Sequence, residues 1–95
     1  MKSINDTETL LEEIVEKETK EVKACELIIY NDDYNTFDFV ISSLIEICKH
    51  DTLQAEQCTY IVHYNGKCAV KSGTYDVLNP MRVALCDRGL SAVVE

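Results

Sequence analysis

LIIYNDDYNTFDFV, residues 27–40, changes character twice within fourteen residues. Leu27 to Tyr30 is an apolar run of the length that ends a buried strand. Asn31, Asp32 and Asp33 then supply an amide and two carboxylates, residue types that favour turns and helix starts. From Phe37 the apolar residues return at helical spacing. Polar groups therefore stand at the mouth of a core, between a strand and a helix.

Working outward from that stretch, "VKACELIIY" reads as a first strand over residues 23–30. Asn35 is placed as an N-cap with Asp38 at N3. Phe37, Val40, Ile41, Leu44, Ile45 and Cys48 follow at i, i+3, i+4, i+7, i+8 and i+11, so the spacing predicts a helix over 36–48. A second helix starts near Asp51, with Asp51 and Gln54 at capping-box spacing. It turns Cys58, Ile61 and Val62 inward and stops at Asn65-Gly66, a C-cap signal. The connection between these helices is short enough that they pack as a hairpin. "KCAVKS" alternates with period two and predicts a strand over 67–72, with "SGTYD" as a turn behind it. Asn79-Pro80 then marks the start of a short third helix ending before Gly89, and "LSAVVE" forms a last strand. The order β-α-α-β-α-β gives an α+β two-layer domain: a three-stranded antiparallel sheet covered by three helices.

The bulk composition narrows the function. Ninety-five residues suit one domain, residues 23–95, behind an acidic extension over 1–22 that is mobile or marginally helical. From Lys2 to Glu21 that extension carries seven acidic and three basic residues. The net charge of −8, with nine dispersed Lys and Arg, argues against nucleic acid and for cationic partners. No run approaches the ~18 apolar residues of a membrane span, and the N-terminus has no apolar stretch of signal-peptide type, so a cytoplasmic protein off the membrane is expected. The five Cys form no C-x-x-C pair; they are expected to be small buried hydrophobes, without metal or cofactor.

Two separated segments, "LIIYNDDYNTFDFV" and "AEQCTYIVHYNGKCAV" (residues 55–70), resemble the ClpS family, the bacterial adaptors that hand N-end-rule substrates to the Clp AAA+ protease. The family's signature is a hydrophobic strand, Asn-Asp-Asp, a short spacer and a Phe-Val helix start, with Val-His-Tyr-x-Gly later. Here these are Asn31-Asp32-Asp33, Phe39-Val40 and Val62-His63-Tyr64-Asn65-Gly66. The resemblance implies the same sheet and helices, and a site for a free protein N-terminus. It assigns Asn31, Asp32 and His63 to the α-amino group, and Val40 and Val62 to the walls of an apolar pocket for the first side chain. Phe37 and Thr59 stand at pocket positions where the family usually has Met, and Asn35 and Thr36 replace its usual Thr or Ser and Pro. Leu90 loosely matches a wall residue of the family's C-terminal segment. The implied guests are Phe, Tyr, Trp and Leu, and the implied partner is a Clp ATPase of ClpA or ClpC type, docking near Tyr64 and Asp76. Family members also use a flexible N-terminal extension, engaged by the unfoldase, to promote substrate transfer.

The residue chemistry agrees. An N-terminal ammonium offers three donors and a charge, which an Asn carbonyl, a carboxylate and a neutral His nitrogen satisfy. An internal peptide bond, with no cation and one N–H, would leave the carboxylate buried and unpaired. The altered pocket positions keep open an alternative, a ClpS-like domain that docks on or modulates an unfoldase without recognising N-termini. Catalysis is disfavoured: Cys58 and His63 are five apart on one helix, ~140° around its axis, and do not form a nucleophile–base pair.

Overall fold

The computed structural model describes residues 23–95; the expectation for the acidic extension, 1–22, falls outside them. Among the described residues the chain forms β1 (Ala24–Tyr30), α1 (Phe37–Cys48), α2 (Thr52–Asn65), β2 (Lys67–Thr74), α3 (Tyr75–Asp87) and β3 (Ser91–Val94). The strands make one antiparallel sheet in the order β2-β1-β3. β1 is central because it is the strand whose run Leu27-Ile28-Ile29 is buried throughout. Leu27 and Ile29 face the helices. Ile28 points to the other face, between Ala69 and Val93.

One continuous core joins the layers. Leu27 and Ile29 meet Val40, Leu44 and Cys48 from α1, Ala55 and Val62 from α2, and Leu78 and Leu85 from α3. Leu27, Leu44, Leu78 and Leu85 are wholly excluded from solvent, and burying each such side chain stabilises the fold by roughly 1.5–3 kcal/mol. The β1–β2 register slips by one residue, so that Leu27 pairs with Lys71 but Ile28 with Ala69. Val70, the extra residue of this bulge, turns into the core, and its carbonyl accepts the Nε2–H of buried His50 at 2.6 Å.

Several boundaries differ from the sequence-based expectation. The N-cap of α1 is Thr36, not Asn35: Thr36 Oγ1 accepts the Phe39 N–H at 3.1 Å. Asn35 is unavailable because its amide is bonded elsewhere, to Asp32 and Gly89. In α2 the buried face is Ala55, Thr59 and Val62, while Ile61 is 42% exposed. Of the three residues expected inward, Val62 is buried and Cys58 packs half-buried against the core; Ile61 alone faces out, and the small or polar Ala55 and Thr59 are inward instead. β2 runs on to Thr74, and α3 starts directly at Tyr75 with Pro80 inside it. No "SGTYD" turn intervenes, and Asn79 is no cap: its Oδ1 accepts from Arg82 Nε at 2.9 Å. Burial of Leu78, one turn ahead of Arg82, draws the helix upstream and outweighs the one backbone bond that Pro80 forgoes. Of the five cysteines only Cys48 is buried; Cys25, Cys58 and Cys68 are half-buried and Cys86 is exposed. Burial, with Lys71 acting against it, pushes the Cys48 thiol up to about 11.

The two ends of α2 are capped as the sequence implies. Asp51 Oδ1 accepts the Gln54 N–H at 2.7 Å at the start of α2. At its end Gly66 adopts φ +91°, and its N–H returns to the Val62 carbonyl at 2.8 Å. A Cβ added at Gly66 would touch nothing within 4 Å, so the requirement for glycine there is conformational. Gly66→Ala is therefore expected to destabilise the fold by about 1–2 kcal/mol through left-handed strain alone, measured as a shift in the urea midpoint at unchanged m-value.

Candidate functional site

The end of β1 and the end of α2 meet at one hydrogen bond. The Asn31 N–H donates to the Gly66 carbonyl at 2.9 Å, which sets the Asn-Asp-Asp segment beside the last turn of α2, where His63 lies. Between that segment, the start of α1 and the inner face of α2 is a cavity of about 320 Å³. Asn31, Asp32, Asp33, Asn35 and His63 form its polar side, Phe37, Val40 and Val62 its apolar wall, and Thr36 and Thr59 complete the lining. The seven residues expected to bind substrate are thus all in one place. Leu90 lines a smaller recess behind it, with Ile29, Val40 and Val62. Tyr64 and Asp76 are exposed and outside the cavity lining.

The two carboxylates do different work. Asp32 is tied into the backbone: Oδ1 accepts the N–H groups of Tyr34 and Asn35 at 2.8 and 2.7 Å, and Oδ2 accepts Asn35 Nδ2 at 2.8 Å. Partial burial pushes its carboxyl up, but the side-chain bond from Asn35 and the backbone bonds from Asn35 and Tyr34 outweigh it and hold the group below its ordinary value. Asn35 Nδ2 also donates to the Gly89 carbonyl at 3.0 Å, linking this loop to the turn before β3. Asp33 is exposed, lines the cavity and makes no side-chain hydrogen bond among the described residues. Its carboxylate is the free one. Sequence reading assigned the amine contact to Asp32 and did not single out Asp33, which lines the same cavity. The available signal was the Asx-turn pattern, in which an Asp followed by a turn spends its oxygens on the next backbone N–H groups.

Aromatic packing frames the opening. The Phe37 ring lies 5.0 Å from the His63 ring at an interplanar angle of 61° and 5.2 Å from Tyr60, and His63 packs edge-on against Tyr64 at 5.1 Å. His63 is thereby held between two rings while the residue remains exposed. Deeper in, Thr59 is 4% exposed and its Oγ1 donates to the Ala55 carbonyl at 2.7 Å. The cysteines take no part in the cavity. Burial and the neighbouring Cys58 push the Cys68 thiol up to about 12, which keeps it protonated near neutral pH. Among the described residues no group of three or more His, Cys, Asp and Glu is placed to hold a metal ion, and no helix is long and apolar enough to cross a membrane.

The family model for the ATP-dependent Clp protease adaptor protein ClpS matches residues 20–92. The chain belongs to the ClpS family. A ClpS adapter from Acetivibrio thermocellus is 37% identical over 79 residues, 79% of each chain. One from Shewanella pealeana is 40% identical over 57 residues, 60% of this chain but 56% of that protein. Among solved structures, Agrobacterium tumefaciens ClpS2 bound to L-phenylalaninamide superposes with a TM-score of 0.74 at 20% identity, covering 77% of this chain and 95% of that one. The fold is therefore the family's, and the protein is an adaptor of the Clp protease system. The altered residues 35, 37 and 59 fall within the lining of the cavity.

The hydrogen bonds on Asp32 make stability depend on acid. Because its carboxyl lies below the ordinary value of 3.8 when folded, its contribution is present above that pH and is lost as pH falls through the lower folded-state value. Chemical denaturation of wild type and Asp32→Ala is expected to show the wild type more stable at neutral pH, with the gap narrowing as pH falls through 3.8 and below.

Proposed function

We propose that the cavity binds the free N-terminus of substrate proteins carrying a bulky apolar first residue, and that the protein delivers them to a Clp ATPase. The observation that carries this reading is the pairing, within one cavity, of a carboxylate unengaged among the described residues with an Asn amide and a His ring beside an apolar wall. Asn31 Oδ1, the Asp33 carboxylate and a ring nitrogen of His63 supply three acceptors, matching the three donors of an ammonium group. Asp32 is a positioning residue that fixes the loop on which Asn31 and Asp33 sit. Phe37, Val40 and Val62 then receive the first side chain. The bound L-phenylalaninamide of the Agrobacterium protein is a molecule of this chemistry, a free α-amine beside an aromatic side chain.

Selectivity follows from what a wrong guest leaves unpaired. An acetylated amine has no cation and one donor, so Asp33 would be desolvated without a partner. The protein's net charge of −8 adds attraction for cationic N-termini at long range. The acidic segment 1–22 would serve in transfer rather than in binding, the docking partner would be of ClpA or ClpC type with Tyr64 and Asp76 on the contact surface, and the working compartment would be the cytoplasm.

Fluorescence anisotropy with short peptides beginning with Phe, Leu, Trp or Tyr, each beside its N-acetylated twin, tests the reading. Free peptides should bind and acetylated twins should not. Asn31→Ala, His63→Ala and Asp33→Asn should each weaken binding by about 10- to 100-fold, since each removes one hydrogen bond to a charged group worth roughly 1.5–3 kcal/mol. Equal affinity for free and acetylated peptides would refute it. Absence of binding to any free N-terminus would favour the alternative, a domain that docks on the unfoldase while Phe37, packed across His63, closes the cavity. In the same assay, a chain beginning at residue 23 should bind peptides as well as the full chain does, yet fail to promote degradation of a reporter with an N-terminal Phe.

A further inference from the structure

Thr59 places a hydrogen-bond acceptor at the buried end of a site whose other polar groups are at its mouth. Its hydroxyl hydrogen is committed, donated to the Ala55 carbonyl at 2.7 Å. Its oxygen lone pairs remain, in a residue that is 4% exposed and lines the cavity. The neighbouring wall, Phe37, Val40 and Val62, offers that oxygen no donor. Thr59 and His63 are four residues apart on α2, on one face and about 6 Å apart along the axis. His63 is exposed and Thr59 buried, so the separation runs from mouth to interior. A guest anchored by its amine at His63 lays its side chain along that rise, and an aromatic side chain is long enough to reach the Thr59 end.

We infer that the site is tuned for first residues whose aromatic side chain carries a hydrogen-bond donor, tyrosine or tryptophan, over phenylalanine and leucine. The inference rests on the proposed recognition of free N-termini and specifies its guest. A phenol O–H or an indole N–H pairs with the Thr59 oxygen. Phenylalanine fills the same wall but leaves that oxygen desolvated and unpaired, the situation in which a polar site rejects an otherwise similar apolar ligand. The Phe37 ring, held between His63 and Tyr60, gives a flat aromatic surface for either guest to pack against.

Anisotropy with peptides identical except for Tyr, Trp, Phe or Leu at the first position tests this on the full chain, on Thr59→Val, which swaps the hydroxyl for a methyl at nearly constant volume, and on Thr59→Ser. The wild type should prefer Tyr over Phe by about fivefold, the fold-change of one net neutral hydrogen bond. Thr59→Val should bring the Tyr-to-Phe ratio to about one, and Thr59→Ser should keep it. A wild-type ratio of one, or a preference that survives in Thr59→Val, overturns the inference while leaving recognition of free N-termini standing. Failure of Phe and Tyr peptides alike to bind, free or acetylated, overturns both readings.

Discussion

The hydrogen bond from the Asn31 N–H to the Gly66 carbonyl, 2.9 Å long, is the joint on which this molecule's site depends. It ties the first residue of the mouth loop to the residue that ends α2. Thirty-five positions separate them in sequence, and the fold must close that loop before the contact can form. Gly66 meets the constraint by adopting a left-handed conformation, which turns the chain out of α2 and into β2 while presenting its carbonyl to β1. Asn31 and Asp33 on one side and His63 on the other then share one cavity as a consequence of chain path, with no side-chain bond required between them.

The division of labour between adjacent carboxylates follows from the same loop. Asp32 spends both oxygens on local donors and is a part of the scaffold, whereas Asp33 keeps its charge available. A free carboxylate can serve a cationic guest only if its backbone is held still, and Asp32 holds it. The aromatic frame of Phe37, Tyr60, His63 and Tyr64 does for the imidazole what Asp32 does for the loop.

Most of the architecture was legible in the sequence because periodicity and capping agree with tertiary burial. The Phe37-to-Cys48 stripe, the Asp51 cap and the Gly66 stop are local signals that the packed structure uses unchanged. The failures have physical causes. Pro80 reads as a helix start, but burial of Leu78 extends α3 by more than a turn ahead of it. Asn35 reads as a cap, but a long-range partner at Gly89 claims its amide, leaving the cap to Thr36. Ile61 reads as core, but the inward positions of α2 fall on Ala55, Thr59 and Val62, and Ile61 is left exposed. The two motifs pointed to residues that line one cavity; which carboxylate is free among the described residues was not legible, because that depends on hydrogen bonds formed only in the folded loop.

The bridge made by Asn35 Nδ2, to Asp32 on one side and Gly89 on the other, has a consequence for how the molecule breathes. The mouth loop and the entry to β3 are distant in sequence, and each taken alone would be a fringe element prone to independent opening. Sharing one amide couples their opening. Opening the rim therefore costs its link to the turn before β3, and releasing that turn costs the rim one of its ties.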